Sequence, residues 1–231
     1  MPTTWSQISD RLSTAPSRGA IAAWLAIAAL LIALGFLGAS TDDANRDILY
    51  DYAFATASVV IYGILVGVAL VIASRLGHPL VAAGLKSFKW RWVGIAVGLI
   101  LLVLILGQAL EPLLHAGEKQ GLEPAEWQPD RAAAFAFNAL VVSTVVPFAE
   151  ELFFRGVGVR AFLPFGGLGA IAITALAFGL GHGLLVALPV LVPFGLVLGW
   201  VRLRADSVWP GVLAHGFYNG SALLVVYFQL T

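Results

Sequence analysis

Six stretches of this chain contain no Asp, Glu, Lys or Arg: residues 19–41, 52–74, 92–110, 132–149, 161–201 and 207–231. At about 1.5 Å of rise per residue, each is long enough to cross roughly 30 Å of hydrocarbon as a helix. The fifth is about twice the length of the others and carries Pro189 and Pro193. Divided near Leu188, it gives two spans and brings the total to seven, the sixth of them short. Composition agrees, with 60% hydrophobic and 11% charged residues in 231, against about 25% charged in a soluble domain. These features predict an all-α, polytopic membrane helix bundle, with spans one to three over 19–131 and a chemistry-bearing core over 132–231.

Residues 1–18 read as a polar or interfacial N-terminal segment with Trp5 as an anchor. Arg11 and Arg18 precede the first span and no small-residue cleavage site follows it, which predicts a retained span rather than a removed signal. The chain has no cysteine, so disulfide and thiolate chemistry are excluded. Its net charge is zero, and no basic face suggests a nucleic acid. The lipid bilayer is the expected partner of such a chain, and any peptide or protein substrate is expected at the membrane.

Loop charge predicts orientation. Asp42, Asp43, Asp47 and Asp51 follow the first span, whereas Arg75, Lys86, Lys89 and Arg91 follow the second. Counting Lys and Arg puts the N-terminus and the 75–91 loop in the cytoplasm and the acidic 111–131 loop outside. Arg155, Arg160, Arg202 and Arg204 fit the same scheme.

The candidate site starts with Pro147-Phe148-Ala149-Glu150-Glu151-Leu152-Phe153-Phe154-Arg155-Gly156. An ionised carboxylate within a span costs about 3 kcal/mol, so an acid there is presumed functional. On an α-helix Glu151 and Arg155 stand one turn apart and pair, which leaves Glu150 without a partner on its own helix. The bland alternative is that both acids mark the membrane boundary and Arg155 snorkels to the headgroups. Two histidines also lie in apolar runs, His182 and His215, while His78 and His115 fall in loop or boundary positions. Glu150 and His182 are each 16 residues from Gly166, in the turn Leu163-Pro164-Phe165-Gly166-Gly167, so they belong at one height in an antiparallel hairpin. Continuing the count through turns near Leu188 and Arg204 brings Phe194 and His215 into the same layer, with Asn219 one turn from His215. Gly195 and Gly199 would let neighbouring backbones approach closely.

A glutamate, two histidines and an asparagine in a low-dielectric layer are equipment for hydrolysis. Glu150 would act as general base, His182 would orient the attacking water, and His215 and Asn219 would donate to the oxyanion. Glu150, His182 and His215 with one position open also suit a divalent metal such as zinc, although the H-E-x-x-H helix is absent. Both mechanisms stay open, and a non-proteolytic protein using the Glu/His layer as a proton relay or partner scaffold is the alternative from another class.

Glu150-Glu151-x-x-x-Arg155, Phe178-x-x-x-His182 and His215-x-x-x-Asn219 follow one another on successive apolar runs. Together they resemble the three motifs of the CAAX protease and bacteriocin-processing (Abi) family, related to the Ras-converting CAAX endopeptidase. The resemblance covers Ala132 to the C-terminus. It implies an all-helical intramembrane endopeptidase of seven to eight spans. Glu150 would be its catalytic acid, Glu151 and Arg155 its structural neighbours, and His182, His215 and Asn219 the remaining site.

Overall fold

The computed structural model describes residues 17–39, 47–114 and 126–230. The expected N-terminal interfacial segment with Trp5, the position of His115 and the middle of both acidic loops lie outside them. The helices are α1 (Arg18–Ala39), α2 (Tyr52–Ser74), the short α3 (Pro79–Ala82), α4 (Arg91–Leu114), α5 (Ala132–Glu150), the short α6 (Val159–Phe162), α7 (Gly167–Gly181), α8 (Leu188–Ala205) and α9 (Trp209–Leu230). Among the described residues, five helical stretches are long and apolar enough to cross a membrane: Arg18–Ala39, Tyr52–Ser74, Arg91–Leu114, Pro129–Phe165 and Leu185–Ala205.

Local chemistry explains where these helices begin and end. Asp51 caps α2, its carboxylate accepting from the Ala53 amide at 2.8 Å. Asp206 terminates α8 in the left-handed region, φ 51°, which aspartate tolerates better than most residues. Gly183, at φ 72°, turns the chain between α7 and α8. The break in the long apolar run therefore falls at Gly183 and not at Leu188, because the prolines sit inside the helix that follows. Pro189 is in the first turn of α8, where no amide hydrogen is needed, and Pro193 lies within the helix. The short helix is consequently α7, with 15 residues spanning about 22 Å, and not the sixth span. The third span also runs further than its charge-free stretch, with Glu111 and Pro112 inside α4.

The largest departure concerns the pitch of the fourth span. Its helix continues past the glutamates from Pro129 to Phe165, 37 residues in all, and ends at the turn expected around Gly166. Over Glu151–Gly158 it widens into a π-helix of eight residues, every one of them buried. π-helical turns are rare and are concentrated at functional sites. Two glycines allow the widened turn to be gripped from both sides. A Cβ on Gly156 would strike the Ala83 carbonyl, and one on Gly158 would lie 2.7 Å from the Trp24 indole nitrogen.

α2 and α9 pack on α5, α8 packs on α7 and α4, and α1 lies on α7. Gly195 and Gly199 allow the close approach of α8 to α7, at Ala175 and Ile171 respectively. Trp24 of α1 is completely buried, and its indole donates to the Phe153 carbonyl at 3.0 Å. It stacks on Phe153 and meets Phe154 and Phe162 edge-on. At the other end of α1, Gly35 sits against the backbone of Gly181 and Gly183, with no room for a Cβ at either crossing residue, Gly35 or Gly183. The first helix thus touches both the π-helical segment and the turn that carries His182.

Candidate active site

Glu151 and Arg155 are buried completely, which removes the reading of Arg155 as a headgroup-seeking boundary residue. Their side chains pair at 2.9 Å between Arg155 Nη1 and Glu151 Oε1. Among the described residues Arg155 Nη2 and Nε have no hydrogen-bond partner; the guanidinium lies over the Phe178 ring, 4.2 Å from its centroid. A desolvated cation on an aromatic face gains about 2 kcal/mol or more, which offsets part of the cost of burying it. Glu151 Oε2 also has no hydrogen-bond partner and rests against Gly211, where a Cβ would come within 2.9 Å of it.

His215, on α9, lies between the two glutamates. Nδ1 is 3.2 Å from Glu151 Oε1, and Nε2 is 3.8 Å from Glu150 Oε2. An ionised carboxylate can only accept, so Nδ1 carries the hydrogen it shares with Glu151 and Nε2 is the nitrogen turned to Glu150. At 3.8 Å the Nε2 contact is too long for a hydrogen bond and short enough for charge attraction when the ring is protonated. Glu150 itself is only slightly exposed, with 12% of its side chain accessible. Its Oε1 accepts from the Tyr62 hydroxyl of α2 at 3.1 Å.

Phe178 is the hub of the aromatic packing beneath these groups. Its ring is parallel to Phe194 at 5.9 Å and edge-on to His215 at 5.8 Å and to His182 at 4.8 Å. Phe194 in turn meets His215 at 5.0 Å and Tyr218 at 4.9 Å. The phenylalanine four residues before His182 therefore carries the Arg155 guanidinium on its face and both histidines at its edge. Its carbonyl also lies 2.9 Å from His182 Nδ1.

Glu150, Glu151, Arg155 and His215 are brought into one connected set. His182 is placed one ring away, beside Phe178, at the C-terminal end of α7 rather than within a span, and it is exposed. Asn219 donates from Nδ2 to the Val142 carbonyl at 3.0 Å, joining α9 to α5 and leaving its second amide hydrogen for another acceptor. Among the described residues no three of His, Cys, Asp and Glu are grouped to hold a metal ion. Tyr62 and Trp24 were not identified from the sequence. The only signal for either was an aromatic residue with a hydrogen to donate inside an apolar run, and nothing in the sequence pointed to its acceptor.

Residues 132–221 match the family model described as Rce1-like, type II CAAX prenyl endopeptidase Rce1-like. That interval contains Glu150, Glu151, Arg155, His182, His215 and Asn219, and excludes Tyr62 and Trp24. No curated protein and no solved structure matches the chain.

Proposed function

We propose that this chain, whose residues 132–221 match the Rce1-like model of type II CAAX prenyl endopeptidases, is an intramembrane endopeptidase in which the Glu150 carboxylate activates water. The observation that carries this reading is the asymmetry of the two adjacent acids. Glu151 is committed to Arg155 and to His215 Nδ1, whereas Glu150 keeps an oxygen facing His215 Nε2 and, among the described residues, pairs with no arginine. An acid already neutralised by a buried arginine is a poor base, which leaves the proton-accepting role to Glu150.

In the proposed reaction, a water hydrogen passes to Glu150 as the oxygen attacks the scissile carbonyl carbon, and the carbonyl electron pair moves onto its oxygen; when that pair returns, the C–N bond breaks and the proton held by Glu150 passes to the leaving nitrogen. The second amide hydrogen of Asn219 is a donor for that oxyanion, and His182 is a second contact for the water or the substrate. His215, anchored through Nδ1 by Glu151, takes the role of steadying charge at Glu150. The substrate is a membrane-associated peptide reached from the cytoplasmic side, with prenylated C-terminal peptides the first class to try.

The test is a purified wild-type protein beside Glu150→Gln, assayed on a peptide library that includes prenylated C-termini. Glutamine keeps the shape but cannot take the proton, so turnover should vanish while the melting temperature holds. Full activity in Glu150→Gln would overturn the assignment.

A further inference from the structure

Tyr62 lies mid-way along α2, outside the interval that matches the family, and is half-buried. Its hydroxyl donates to Oε1 of Glu150 at 3.1 Å, across 88 residues of sequence. The two oxygens of Glu150 are thereby made unlike. Oε1 receives a fixed hydrogen bond, while Oε2 faces His215 Nε2 at 3.8 Å with no hydrogen bond between them.

A carboxylate takes up a proton on one oxygen at a time, and a glutamate side chain has three torsions to fix before that oxygen points anywhere in particular. Packing fixes part of this for Glu150, since its neighbours Ala149 and Glu151 are buried and the helix runs on without a break. A phenol reaching across from α2 fixes the rest. Tyrosine suits the task because its ring has only two torsions and its hydroxyl stands well away from its own backbone.

Resting on the protease reading above, we propose that Tyr62 is a positioning residue for the reaction: it holds Oε1 of Glu150 so that Oε2 is the oxygen that accepts the water proton. In that step one water O–H bond breaks and its proton goes to Oε2. The oxygen of the water bonds to the carbonyl carbon, and Tyr62 keeps its own hydrogen throughout. Tyr62 acts through Glu150 and contributes nothing to substrate binding.

The experiment compares purified wild type, Tyr62→Phe, Tyr62→Leu and Glu150→Gln on one peptide substrate, reading kcat, KM and melting temperature. Tyr62→Phe keeps the ring and loses only the hydroxyl. It should lower kcat about 10- to 100-fold, the scale of a misplaced catalytic group, with KM unchanged and melting close to wild type. Tyr62→Leu should lose no more kcat per folded molecule than Tyr62→Phe does. Full kcat in Tyr62→Phe beside an inactive Glu150→Gln would overturn the role of Tyr62 alone. A raised KM at unchanged kcat, or a loss of activity that only follows the folded fraction, would also overturn it, since the hydroxyl would then serve binding or the fold. Activity in Glu150→Gln would remove the underlying reading, and the role of Tyr62 with it.

Discussion

Glu151 and Arg155 form an ion pair with no exposed surface, and a broken buried pair is far more costly than an intact one is favourable. Glu151→Gln removes the charge facing a buried guanidinium, which then has the Phe178 and Phe154 rings against it, and leaves one neutral amide oxygen to accept from both Arg155 Nη1 and His215 Nδ1. The expected cost is about 3–5 kcal/mol, seen as low yield and a much lower melting temperature together with lost activity. Glu150→Gln, by contrast, should melt like wild type, because among the described residues Glu150 pairs with no arginine. Equal melting of the two variants would show that the acids do not divide into a structural and a chemical one. The pairing of Glu151 with Arg155 could be read from the sequence, since their spacing of four puts them on one side of a helix. That both are enclosed by protein rather than facing headgroups could not, because the enclosure comes from Phe178 of α7 and Gly211 of α9, distant in sequence. Tyr62 was hidden for the same reason: a hydrogen bond spanning 88 residues leaves no local pattern.

At the scale of elements, the apolar runs located the helices but not the change in their pitch. An α-helical count carries the fourth span past its acids to the turn near Gly166. The backbone does continue there, but through a π-helical segment over Glu151–Gly158 that other helices press on. Trp24 supplies one of these contacts, its indole hydrogen bonding the Phe153 carbonyl within that segment. Trp24→Phe keeps an aromatic ring against Phe153, Phe154 and Phe162 while leaving the carbonyl without this donor. A buried polar group deprived of its partner costs about 1–3 kcal/mol, so the variant should melt several degrees lower. Because the same carbonyl lies three residues after Glu150, kcat should also fall beyond what the folded fraction explains. Unchanged kcat per folded molecule would limit Trp24 to stability. Gly35, at the far end of α1, presses on the turn that carries His182, so this helix, outside the family match, braces both parts of the site.

For the whole molecule, the arrangement of the loops bears on orientation more directly than the total of basic residues does. Arg155 is wholly buried and Arg202 nearly so, hence neither reports on the membrane face it lies near. The loop contacts are more informative. Lys86 pairs with Asp206 at 2.7 Å, Ser207 donates to the Lys86 carbonyl, and the Val208 amide donates to the Gly84 carbonyl. The basic 75–91 loop and the α8–α9 turn therefore share one end of the bundle. At the other end, Asp47 meets Gln128 at 3.0 Å and Arg131 at 3.5 Å. With Lys and Arg concentrated at the first end, that end is expected in the cytoplasm. Glu150 lies 21 residues along its helix from Pro129, about 32 Å from the opposite end, which sets the site near the end that carries the basic loop. Lys89 and Asp130 are exposed at the two ends, and the chain has no cysteine of its own. In right-side-out vesicles, Asp130→Cys should react with an impermeant thiol reagent and Lys89→Cys only after the membrane is opened. Labelling of Lys89→Cys from outside would invert the orientation and move substrate access to the opposite side.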